Sequence, residues 1–189
     1  MKLSFLLQNS RKLFLFVFFI ALQSTAYAQK PEDLGIADVD TFVNRSFKLE
    51  EEHKTFSGEI KAVSDALGAL KGIKISREKF EEIQKEVEKL QQKGDKLNNN
   101  VNQVSESGNQ LQEYYKSKAE GMEDELKSIP MTNLKAIKAK KDEIAQNGKA
   151  VKTNIPAGAG AVSRTAKALT GDLARLNEIL EEMKSLEVE

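Results

Sequence analysis

The chain has no cysteine, no tryptophan, one histidine and three prolines in 189 residues. Without thiols there is no disulfide, no thiolate metal site and no lipid-modified cysteine to anchor the protein to a membrane. The lone histidine, His53, falls short of the several convergent ligands that a metal site needs. There is no G-x-S-x-G, no H-E-x-x-H, no EF-hand loop and no phosphate-cradling glycine loop. The segment Ala157-Gly158-Ala159-Gly160-Ala161 is glycine-rich but lacks the Lys and Ser/Thr of a P-loop. No segment alternates apolar and polar residues with period two, so β-strands are not expected. Neither charge sign dominates, with 29 basic and 29 acidic residues. A nucleic-acid binder normally carries a basic excess, and this chain has none.

Long apolar runs are also scarce, with one exception at the start. Lys2, Arg11 and Lys12 precede the run Leu13 to Leu22 (LFLFVFFIAL), which is followed by Gln23-Ser24-Thr25 and Ala26-Tyr27-Ala28. A basic start, an apolar stretch of about ten residues and an A-x-A ending make a cleaved secretory signal, and the run is about half of what a membrane-spanning helix needs. Residues 1–28 are thus read as the signal and residues 29–189 as one helical coiled-coil domain, exported to the periplasm or beyond the cell. Removing the three leader cations leaves 26 basic against 29 acidic residues. The remaining aromatics are Phe42, Phe47, Phe56, Phe80, Tyr114 and Tyr115. So little bulk suits a narrow helical seam better than a compact globule.

Heptad-like spacing dominates the rest. A first helix over 38–70 places Phe42, Ser46, Leu49, His53, Phe56, Ile60, Val63, Leu67 and Leu70 at steps of three and four, and Gly72 ends it. A second over 76–128, capped by Ser76, carries the seam Phe80, Ile83, Val87, Leu90, Gly94, Leu97, Val101, Val104, Gly108, Leu111, Tyr115 and, after a phase slip, Ala119, Met122, Leu126 and Ile129. It is about 80 Å long at 1.5 Å per residue. Pro130 stops it. A third helix over 132–154 uses Leu134, Ile137, Ile144, Val151 and Ile155, and Pro156 to Gly160 form a second break. A fourth over 161–187 uses Val162, Ala166, Leu169, Leu173, Leu176, Leu180 and Met183.

The lengths imply an all-α, elongated antiparallel bundle: the first, second and fourth helices form a three-helix bundle from which a hairpin of the second and third projects. A four-helix bundle, with the chain reversing at Pro156 to Gly160, is the alternative. The turn at Pro130 sets a register in which paired residue numbers sum to about 260, so that Leu126 meets Leu134, Met122 lies near Ile137 and Tyr115 near Ile144.

Three features carry functional readings. The polar tract Leu97 to Leu111 lies opposite the Pro/Gly break, and Asn98, Asn99, Asn100, Asn102 and Gly108 with Pro156, Gly158 and Gly160 are the candidate hinge or docking surface; a solvated, loosely packed junction is the simpler reading of the same residues. Gly94, Gly108 and Gly148 fall on seam positions, for close helix approach, for softness, or because bulky residues face them. His53 is read as a partly buried core histidine level with Lys167, a cofactor ligand being the lesser reading. In the third helix Lys135, Lys138, Lys140, Lys141, Lys149 and Lys152 stand against Asp142 and Glu143. These lysines pair with Glu113, Glu120, Glu123, Asp124 and Glu125 across the hairpin, or meet an anionic surface. In outline the chain resembles coiled-coil-armed periplasmic chaperones and the hairpins of efflux adaptor proteins, without the β-domains of either. The reading is an exported, non-enzymatic interaction protein without a cofactor: a scaffold, spacer or weak chaperone whose partner is another protein, or a second copy of itself. A membrane-perturbing surface protein is the second reading, resting on the lysines and the apolar tip Ile129-Pro130-Met131, and a small-ligand carrier the third.

Overall fold

The computed structural model describes residues 29–188; the expected secretory signal lies outside the described residues. Four α-helices follow in order: α1 (Ala37–Leu70), α2 (Arg77–Ser128), α3 (Leu134–Lys149) and α4 (Ile155–Lys184). Among the described residues there is no strand, only an isolated parallel bridge between Ile75 and Val188.

Local chemistry sets the ends. Ser76 Oγ accepts from Lys79 N (3.3 Å) at the start of α2, satisfying one amide that the first turn leaves free. Asn133 Oδ1 does the same for Ala136 N at 3.1 Å in α3. Gly72 takes φ 75°, a left-handed conformation that turns the chain between α1 and α2. Pro130 ends the second helix as expected, and its carbonyl accepts from Asn133 N at 2.8 Å to close the hairpin.

Helices α1 and α4 run parallel to each other and antiparallel to α2. The ties climb in step: Asn154 Nδ2 to the Glu32 carbonyl (2.9 Å), Arg164 to both oxygens of Glu50 (3.1 and 3.2 Å), and Lys71 to Glu182 (3.3 Å). All three helices contribute to one core, including Phe56, Leu67, Val87, Val104, Leu169, Leu176 and Ile179. Beyond α1 the bundle thins to the α2/α3 hairpin. The architecture is an all-α three-helix bundle with a projecting hairpin, and the chain does not reverse at Pro156 to Gly160.

The second break is absent. Helix runs from Leu134 to Lys184 through a π turn at Ala150–Asn154, where Ile155 N bonds to the Ala150 carbonyl. Pro156 has no N–H to give, and its ring would press on the carbonyl one turn back. A wider turn just before it relieves both problems without ending the helix. The register is close to expectation, with Lys118 Nζ 3.1 Å from Glu143 and Asn147 Nδ2 donating to the Tyr115 carbonyl at 3.1 Å. Leu134 departs from it: placed in the first turn of α3, it is 74% exposed rather than packed on Leu126.

Bulky side chains explain two of the three seam glycines. A Cβ at Gly94 would lie 2.7 Å from Leu173 Cδ2 and 2.9 Å from Phe56 Cζ. At Gly108 it would meet Phe42 Cζ at 2.6 Å, and at Gly158 in the facing helix it would meet Phe42 Cε1, also at 2.6 Å. Gly148 has open space. The Phe42 ring is therefore held between two glycines on different helices, with nowhere to swing. Gly108→Ala and Gly158→Ala are expected to cost about 1–3 kcal/mol each by overpacking. Gly121→Ala, with nothing within 4 Å of the added methyl, should instead stabilise by about 0.5–1 kcal/mol. Urea unfolding of the three variants checks this, and stabilisation by the first two would show that the ring is free to move.

Candidate functional site: the α1/α2 groove and the hairpin base

On the side of the bundle away from α4, two heptad-spaced rows run beside each other. From α1 come Asp38, Thr41, Arg45, Lys48, Glu52 and Thr55; from α2 come Tyr114, Gln110, Ser107, Asn100, Lys96 and Lys93. Steps of three and four, and one of seven between Ser107 and Asn100, keep each row on one helix face. Between them lies a groove whose upper part has a volume of about 640 Å³, with Phe42, Val104 and Leu111 in its lining. Leu49 and Leu97 line its continuation. Four cations border the groove (Arg45, Lys48, Lys93, Lys96) against the carboxylates of Asp38 and Glu52. Lys93 is engaged with Glu59 at 2.7 Å and Lys48 with Glu52 at 3.6 Å. Arg45 and Lys96 carry no ion pair among the described residues.

The structure divides the predicted site residues. Asn98, Asn99 and Asn102 are exposed on α2, while Asn100 lines the groove. Gly108 and Gly158 hold the Phe42 ring, so their small size serves packing and gives a hinge no slack. Pro156 is exposed on the helix surface, and a Cβ at Gly160 would make ordinary contact with Arg164. The polar tract and the Pro/Gly segment do sit at one level, joined by Phe42.

Two buried asparagines were missed. Asn147 and Asn154 lie seven residues apart, the first before the π turn and the second at its end, and each donates from its side chain to a carbonyl of another segment, Tyr115 and Glu32 respectively. Their shared heptad phase was the available signal, since a buried amide on a seam fixes register. Tyr115 is the second anchor of this region. Its hydroxyl donates to Asp38 (2.9 and 3.2 Å), tying the hairpin base to the first turn of α1, and Lys118 Nζ lies 5.9 Å from its ring centroid. Burial, then the hydrogen bond to Asp38, pushes the Tyr115 phenol well above its ordinary range.

His53 is buried on α1, its Nε2 2.9 Å from Asp172 Oδ2, an ion pair when the imidazole is protonated but out of line for a hydrogen bond. This is five residues further along α4 than Lys167. Among the described residues no group of three or more His, Cys, Asp or Glu side chains is placed to hold a metal ion. No helix among them is long and apolar enough to cross a membrane. The lysines of α3 divide as well. Lys140 pairs with Glu125 and Glu143, and hydrogen bonds from Lys140, then Lys118, hold Glu143 below its ordinary range. Lys135, Lys138, Lys141, Lys149 and Lys152 form no ion pair among the described residues.

Set against known proteins, the chain matches no family model, no curated protein and no solved structure.

The tyrosine gives a pH prediction. Its raised pKa means that the folded chain holds the phenol proton more tightly than the unfolded chain does. The contribution is thus complete below the unfolded pKa of about 10 and is lost as pH rises above it. Thermal midpoints measured from pH 8 to 11 should fall at the alkaline end. Tyr115→Phe should flatten that fall and cost about 0.5–1.5 kcal/mol at neutral pH through the lost hydrogen bond. Equal slopes for the two proteins would assign the alkaline loss to other groups.

Proposed function

We propose that this is an exported, non-enzymatic coiled-coil interaction protein of the cell envelope, a scaffold, spacer or weak chaperone that binds another protein along the α1/α2 groove. The observation that carries the reading is the pair of parallel heptad rows with an apolar floor between them. That is the surface a three-helix bundle offers to one further amphipathic helix. The occupant is inferred to be a helix whose apolar stripe rests on the half-buried Leu111 and the exposed Tyr114 ring, above the buried Phe42, Leu49 and Val104, with acidic flanks that meet Arg45 and Lys96. Neutral amides and hydroxyls at Asn100, Ser107 and Gln110 can bond across such an interface without the desolvation cost of buried charges. Export follows from the leader-like first 28 residues.

Because the chain has no cysteine, a single Ser107→Cys variant places a photo-crosslinker at one site in the groove. A Lys167→Cys variant places it on an exposed position of α4. In the native envelope, the label at 107 should capture a defined protein that the label at 167 does not. Adding Arg45→Glu and Lys96→Glu should lower the capture at least tenfold with the helical spectrum unchanged. Identical adducts at both sites, or capture indifferent to the two reversals, would remove the groove from the reading, and capture of a second copy of this chain would replace the foreign partner by self-association.

A further inference from the structure

The groove lies on the bundle, while the far end of the molecule has a different chemistry. At the turn of the hairpin Met131 is 86% and Leu134 74% exposed, the two most exposed large hydrophobics among the described residues. Pro130 between α2 and α3 is exposed as well, and Ile129 is half-buried beside it. These side chains sit at the outer end of the hairpin, clear of α1. An exposed apolar tip does not enclose a small ligand, and burying it needs a soft or concave counterpart.

The charge next to the tip identifies that counterpart. Lys135, Lys138, Lys141, Lys149 and Lys152 are all exposed and carry no ion pair among the described residues. At 100° per residue Lys135, Lys138, Lys141 and Lys149 share one side of α3, with Asp142 as the acidic residue among them and Lys152 following in the π turn, whereas Lys140 points across the hairpin to Glu125. The opposite helix has the reverse balance, with Glu113, Glu120 and Glu123 exposed on α2 around Lys116, and Lys127 paired with Asp124. The hairpin is therefore basic on one flank, acidic on the other and apolar at its end. Pairing with the acidic flank of a second copy would account for the lysines and leave Met131 and Leu134 in water. An anionic bilayer accounts for both, since the headgroups meet the lysine flank and the acyl boundary takes the tip. We propose that the α2/α3 hairpin is a membrane-docking device that inserts Ile129, Met131 and Leu134 into the interface of an anionic bilayer and lays the outer face of α3 against its headgroups. This goes beyond the groove-binding reading and is independent of it.

The test uses the full chain, so any apolar leader still attached is present in every variant. Single variants Met131→Cys and Ile73→Cys, at opposite ends of the molecule, are labelled with an environment-sensitive fluorophore. They are mixed with vesicles of phosphatidylglycerol or of phosphatidylcholine. Expected are a blue shift and quenching by bilayer-embedded quenchers at position 131 but not at 73, and at least tenfold stronger binding to the anionic vesicles. Affinity should fall with added salt, by about fivefold for each lysine changed to Gln among the five. Met131→Ser with Leu134→Ser should weaken binding at least tenfold, and both positions are exposed enough to leave the fold intact. Absence of binding at low salt overturns the proposal. So does binding in which the label at 131 stays in water, which would mean adsorption through charge, through the leader or through the bundle. A salt-sensitive dimer seen by sedimentation, with the tip still in water on vesicles, would transfer the lysine flank to a second copy.

Discussion

The Phe42 ring lies where α1, α2 and α4 come together, bounded by the backbone at Gly108 on one side and at Gly158 on the other. Much else depends on that close approach. A ring inserted between two helices at glycine positions sets their separation and their axial register together, because neither backbone can slide past it without meeting carbon at less than contact distance. From this level the bundle extends one way through Phe56, which sits against Gly94 with Leu173, to Leu67 and Met183. The other way, α1 ends and the hairpin continues alone.

Where α1 stops, polar bonds take over from apolar packing. Tyr115 reaches Asp38, Asn147 reaches the Tyr115 carbonyl, and Asn154 reaches Glu32. A buried side-chain amide is costly unless bonded, so the bond each of these groups donates favours one register over its neighbours, even though Asn147 Oδ1 stays buried without a partner. The π turn belongs to the same device. It lets the helix pass Pro156 without stopping and keeps Asn147 and Asn154 both turned inward, which is how a chain with a proline in mid-helix still builds one continuous partner for α2.

The molecule separates its surfaces along its length. The bundle end offers a groove floored with aliphatic and aromatic carbon and edged with amides and cations. The hairpin end offers an apolar tip, a lysine flank and a carboxylate flank.

The helices at 38–70 and 76–128 were legible within a residue because each seam needs only apolar residues at steps of three and four, and Ser76, Gly72 and Pro130 act locally. The antiparallel hairpin was legible for the same reason: a tight turn between two long seams leaves one register. By itself the sequence thus determined an all-helical rod, its helix count up to Pro156 and its balanced charge. Tertiary structure alone decided whether Pro156 and its glycines would break the helix, because the bonds that tie Asn147 before the π turn and Asn154 at its end to neighbouring segments exist only in the packed bundle. It also decided what the glycines were for. Spacing placed Gly94 and Gly108 on the seam, but the ring that fills the second space comes from a helix more than sixty residues earlier in the chain, and Gly158 shares it from the opposite side. Periodicity reports which face of a helix is buried; which atoms meet there depends on axial offsets between helices, and those are fixed only when the side chains of all three are packed together.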